Sequence, residues 1–174
     1  MNKILIYPNK VLKECCEEIS IIDDETKIII ENLLLTYKTN KNCLGIAAPQ
    51  LGFKKRIIVV DSCGDNFINK VLSKPNHYVM INPKIISHSE NLFSYDEGCL
   101  SFPGVFEQVK RPKEIVVEYR DINFQLKTLE AKNILSTCIQ HEIDHLDGIM
   151  FFERVSQLRK TRTLQKYKRL KGNG

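Results

Sequence analysis

The run His141-Glu142-Ile143-Asp144-His145 constrains this chain more than any other segment. Residues on a helix advance ~100° each, so a spacing of four leaves two side chains only ~40° apart. On a helix both imidazoles therefore point at one spot, with Glu142 one step round. Such a face suits two ligands of a divalent metal with an acid–base group beside them. A polar helix face with hydrogen-bonded histidines fits the same letters. The first reading requires a fold that turns this face toward a third ligand from elsewhere in the chain.

The surrounding pattern predicts a helix from about Glu130 to Leu146, with Gly148 placed to cap its end. Near the start, Asp23-Asp24 and Glu25 mark the beginning of an apolar-rich helix running from Lys27 to about Lys38. Arg56 to Asp61 reads as a buried strand, and Glu114 to Tyr119 as another. Tyr78 to Pro83 and Lys84 to Ile86 read as strands broken at the proline, and Asn123 to Thr128 as a hairpin mate for Glu114–Tyr119. A second basic helix is expected over about 155–171, its apolar stripe made of Val155, Leu158 and Leu164. Strands in the middle and helices at both ends, without regular alternation, argue for an α+β fold.

With 174 residues and no repeat or linker, the expectation is one domain over 1–174. No stretch approaches the ~20 apolar residues of a membrane span, and the start lacks the apolar core of a signal peptide. A cytoplasmic protein without membrane contact is expected. The six cysteines, Cys15, Cys16, Cys43, Cys63, Cys99 and Cys138, then read as reduced thiols. The net charge of +5 is uneven: eight basic residues and no acid follow Glu153, leaving 18 basic against 21 acidic residues up to and including it. That tail suits an anionic partner such as RNA, or a solvated helix.

The third ligand is expected upstream, because no acidic residue follows Glu153 and Phe151 stands six places after His145. His77 and His88 sit in polar surroundings and read as surface residues. Cys99, in the turn-prone run Glu97-Gly98-Cys99-Leu100-Ser101, is a better donor. A thiolate with two imidazoles leaves a fourth position open, as catalytic sites do.

Three segments in order, Gly45-Ile46-Ala47-Ala48-Pro49-Gln50, Glu97-Gly98-Cys99-Leu100-Ser101 and Gln140-His141-Glu142-Ile143-Asp144-His145, make the chain similar to the peptide deformylases. The resemblance covers nearly the whole chain. One departure is Cys43, where the family often has glycine. The resemblance implies mainly antiparallel strands packed around a helix carrying the HExxH motif. It implies removal of the formyl group from N-formylmethionyl peptides. It implies Cys99, His141 and His145 as ligands of one divalent ion, Fe2+ first, with Zn2+, Ni2+ or Co2+ as alternatives.

Glu142 would be the acid–base, and Gln50 with the backbone N–H of Leu100 would hold the carbonyl oxygen. Leu44, Ile134 and Cys138 would line the methionine pocket, plain core packing being the alternative. Gly45, Ile46 and Gly98 would hold the substrate backbone. Glu97 and Arg111 resemble an ion pair behind the cysteine loop, or are two independent surface charges. Family members dock on the ribosome through a C-terminal helix, which gives the basic tail ribosomal RNA as a partner.

Overall fold

The computed structural model describes residues 3–40, 43–62 and 77–172. Cys63 lies outside these residues, and Cys15, Cys16, Cys99 and Cys138 are free thiols. Over the described residues the architecture is α+β, with two antiparallel sheets and three α-helices.

Helix α1 spans Asp24–Thr39. Asp23 caps it by accepting from the Thr26 N–H at 2.8 Å and the Thr26 hydroxyl at 2.7 Å, which satisfies an otherwise orphaned donor. Strands β1 (Gly45–Ala47), β2 (Ile57–Asp61), β3 (His77–His88), β6 (Glu114–Arg120) and β7 (Leu126–Lys132) form one sheet in the order β1-β2-β3-β6-β7. Between β3 and β6 in the chain, β4 (Leu92–Cys99) and β5 (Phe102–Pro112) form a separate hairpin. Helix α2 is Asn133–Leu146 and helix α3 is Gln157–Gly172.

Strand β2 shows how the layers stack. Its residues are buried throughout, so both faces of the sheet are covered. Ile57 and Val59 pack with Ile29 and Leu33 of α1. Ile58 and Val60 pack with Ile139, Ile143 and Leu146 of α2. The other side of α2 meets the β4–β5 hairpin. Its polar stripe is thus enclosed between a sheet and a hairpin, which are the two sources of its partners.

Several sequence expectations shift. The helical pattern from Glu130 begins too early: Glu130, Ala131 and Lys132 pair with Val116, Ile115 and Glu114 as the end of β7. The turn before it takes 121–125, where the Asp121 carboxylate accepts from the N–H groups of Asn123 and Gln125. The hairpin mate therefore starts at Leu126, not Asn123. Pro83 does not break β3, because the register shifts there and Asn82 takes φ 50°. The Asn82 side chain also clamps Ile19, accepting from its N–H at 2.9 Å and donating to its carbonyl at 2.7 Å. Asp147 caps α2, and Gly148 follows at φ 70°. On α3 the buried residues are Thr163 and Tyr167, whereas Leu158 is 61% exposed. Tyr167 stacks on Phe102 with ring centroids 3.8 Å apart.

Candidate active site

The ligand-type atoms of Cys99, His141 and His145 lie within 4.8 Å of one another. Two elements supply them. Helix α2 presents the histidines one turn apart, with ring centroids at 5.1 Å. Cys99 ends β4, where the register shifts after Gly98 and turns the thiol toward the helix. Its Sγ is 3.2 Å from His145 Nε2.

The histidines are held differently. His141 Nδ1 donates to Glu97 Oε2 at 2.7 Å, which leaves Nε2 for the site. Burial opposes a charge on His141, but contacts to Cys99 and Glu97 raise its pKa well above the usual value. His145 stays a neutral imidazole, its pKa lowered by burial and by the neighbouring His141 and Arg111. Neutral imidazole is the form that binds metals.

Behind His141 the charges continue. Arg111, 4% exposed, donates to both oxygens of Glu97 at 2.6 and 3.0 Å, and to Asp144 at 2.8 Å. Asp144 also accepts from Arg154 Nε at 3.0 Å. Burial alone would raise the Glu97 pKa; hydrogen bonds from His141 and Arg111 hold it down at about 2. The sequence left Glu97 and Arg111 open as an ion pair or as separate surface charges, and the structure makes them a buried pair. Asp144 and Arg154 are members of the network that sequence reading missed. Asp144 carried a signal, since it sits within the His141–His145 motif.

Glu142 is 4% exposed, and its Oε2 has no hydrogen-bond partner. Burial, with Glu97 and Asp144 nearby, pushes its pKa up to about 7 against the pull of His141 and Arg111. Gln50 is fixed at its other end: its Oε1 accepts from the Ala47 N–H at 2.8 Å. That contact leaves Nε2 directed at Ser101 Oγ, 3.2 Å away, and Cys99 Sγ, 3.5 Å away. A carboxylate without a partner and an aimed amide donor thus flank the Cys99, His141 and His145 cluster.

Gln50, Cys99, His141 and Glu142 stand on a cavity of about 390 Å³ whose wall also includes Leu44, Gly45, Gly98, Leu100, Ile134 and Cys138. A Cβ on Gly45 would lie 2.7 Å from Glu142 Oε1 and 2.8 Å from Cys138 Sγ, so glycine lets β1 approach α2. Ile46 differs from the other expected binding residues. Its side chain is fully buried beside α1, away from the cavity, so only its main chain can meet a ligand. Strand β1 ends its sheet, and among the described residues it pairs only with β2. Tyr95, Phe106 and Thr137 also line the cavity and were not singled out from the sequence. Thr137 was within reach, since it stands four residues before His141 on the same helix.

The polypeptide deformylase family model matches residues 1–161. The chain belongs to this family. A peptide deformylase of Pelagibacter ubique is 36% identical over 173 residues, covering 99% of this chain and 96% of that protein. Peptide deformylase 1 of a Nostoc species is 42% identical over 84% of this chain and 75% of its own length. The crystal structure of peptide deformylase from Ehrlichia chaffeensis superposes with a TM-score of 0.87 at 33% identity, covering 99% of this chain and 98% of that one. The same enzyme in complex with actinonin gives 0.84 at 33% identity, with 97% and 96% covered. Membership in the deformylase family agrees with a pocket that is apolar on one side and ionic on the other.

Proposed function

We propose that this chain, as a single catalytic domain, removes the N-terminal formyl group from N-formylmethionyl polypeptides and releases formate. The observation that carries the reading is the placement of Cys99, His141 and His145 within 4.8 Å of one another, with Cys99 and His141 on the wall of an apolar cavity. The donor set fits a divalent ion: one thiol, one neutral imidazole, and one imidazole fixed from behind by a carboxylate. Fe2+ is the favoured ion, with Zn2+, Ni2+ and Co2+ as alternatives. Bound there, the ion would polarise the formyl oxygen and bring the pKa of water from 15.7 to about 7.

The protein groups have separate tasks. Leu44, Ile134 and Cys138 take the methionine side chain. The main chains of Gly45, Ile46 and Gly98 align the peptide along the open edge of β1. Glu142 takes a proton from the attacking water and passes it to the departing amine as the C–N bond breaks. Gln50 Nε2 and the Leu100 N–H donate to the oxygen on which negative charge develops. Glu97 and Arg111 fix the orientation of His141.

The test is formate release from a formyl-Met peptide, with metal analysis of the same sample. Cleavage of internal peptide bonds without formate release would overturn the proposal in favour of a peptidase. No described helix is long and apolar enough to cross a membrane, and we place the reaction in the cytoplasm. There α3 is proposed to dock on ribosomal RNA. Arg162, Lys166, Lys168 and Arg169 are exposed on it, and no described acid pairs with any of them.

A further inference from the structure

The cavity wall holds a polar group that the proposed reaction does not use. Thr137 of α2 is 3% exposed, and among the described residues its hydroxyl has no hydrogen-bond partner. A threonine within a helix ordinarily donates to the carbonyl four residues back; Thr137 does not, although Thr36, Thr39 and Thr163 all do. Other polar groups nearby are committed. Cys138 Sγ donates to the Leu44 carbonyl at 3.1 Å, and Cys43 Sγ to the Gly45 carbonyl at 3.0 Å. Ser136 Oγ donates to the Pro112 carbonyl at 3.0 Å. A buried hydroxyl left unpaired is rare enough to call for an explanation.

Its position supplies one. Thr137 lines the cavity beside Ile134 and Cys138, the residues assigned to the substrate side chain. Threonine on a helix divides between two χ1 wells, and a turn about this bond exchanges its methyl and hydroxyl groups. We infer that Thr137 is a specificity-determining residue whose hydroxyl donates a hydrogen bond to the side chain of the formylated residue. The acceptor is the thioether sulfur of methionine or, more strongly, the oxygen of methionine sulfoxide. The inference rests on the deformylase reading. A substrate that supplies an acceptor pairs this hydroxyl. An all-carbon side chain of the same length leaves it unpaired. A thioether is a weak acceptor, so the preference for sulfur over carbon is modest.

The experiment compares kcat/KM for three peptides carrying formyl-methionine, formyl-norleucine and formyl-methionine sulfoxide. A neutral hydrogen bond corresponds to about three-fold to ten-fold in rate constant. The parent should favour methionine over norleucine by about three-fold, and should accept the sulfoxide. Thr137→Val, which keeps the shape, should bring the methionine/norleucine ratio to about one and lower the sulfoxide/norleucine ratio by about ten-fold. Thr137→Ser should keep the parent's ratios. Where Thr137→Val does not fold, Thr137→Ala is read by the same ratios. An unchanged ratio without the hydroxyl overturns the inference, and so does an equal loss on all three peptides. Formate release from norleucine in every variant shows that the deformylase reading stands independently. No formate from any peptide with the parent overturns that reading instead.

Discussion

Arg111 lies between two buried carboxylates, and that position decides what its loss would do. With Arg111 gone, Glu97 would lose its bidentate guanidinium and Asp144 would keep only the half-exposed Arg154. Removing one partner of a buried pair costs about 3–5 kcal/mol, because the other charge is left uncompensated. Arg111→Met should lower stability by that amount in denaturant unfolding; a loss below 1 kcal/mol would show that the pair is not buried in solution. Glu142 predicts the opposite pattern. It makes no hydrogen bond through Oε2, so Glu142→Ala should keep the fold while the deformylation rate falls by about 10²–10⁴. Circular dichroism and formate release on one preparation separate the two effects. An unchanged rate would remove Glu142 from the proposed chemistry.

At the level of elements, α3 is held more firmly than its charge pattern announces. Glu107 on β5 accepts from Arg159 and from the Thr163 hydroxyl. Burial raises the Glu107 pKa, but these donors outweigh it and bring it below the ordinary 4.5. A carboxylate with a depressed folded-state pKa adds stability above its unfolded pKa and loses it as the pH falls through the folded one. Glu107→Gln should therefore lower Tm near neutral pH, and the difference from the parent should vanish below the ordinary carboxylate range. A difference that persisted in acid would mean packing, not charge, is lost. Outward-facing cations remain on the same helix. If three or four phosphates are neutralised, log affinity for ribosomes should fall against log salt with a slope of about −3 to −4, and a slope near zero would exclude docking by this helix.

The helix and strand pattern was legible where a single period ran through a segment, as in α1 with its Asp23 cap and in β2. It failed on β4 and β5 for a physical reason. The inward positions of a strand are normally apolar, yet here they include Glu97 and Arg111, the groups that support His141. Polar residues turned inward for the site erased the alternation that marks a strand. The cluster of Cys99, His141 and His145, the proposed ligands, was readable from chemistry and from family likeness. Arg154 carried no signal, because it reaches Asp144 from outside every motif. Tyr167 looked like a lone aromatic in a basic tail, and only the fold shows that Phe102 waits for it.

For the whole molecule, metal loading should be visible as stability. A ligand that binds only the folded state at 100 times its Kd adds about 2.7 kcal/mol, which for a chain of this size raises Tm by about 5–11 °C. Co2+ or Ni2+ should produce such a shift in the parent. Cys99→Ala should show little, since two imidazoles alone hold a metal weakly. An equal shift in both would remove Cys99 from the ligand set.

The two ends of the chain also meet. The Tyr7 carbonyl accepts from the Tyr167 hydroxyl at 3.0 Å and from Lys171 Nζ at 2.9 Å, while Tyr167 covers Phe102 on the strand that follows Cys99. Synthesis proceeds from the N-terminus. Tyr7 and Phe102 are therefore made long before the residue that packs on both. Until the last turns of α3 have been made, the stacking of Tyr167 on Phe102 cannot form.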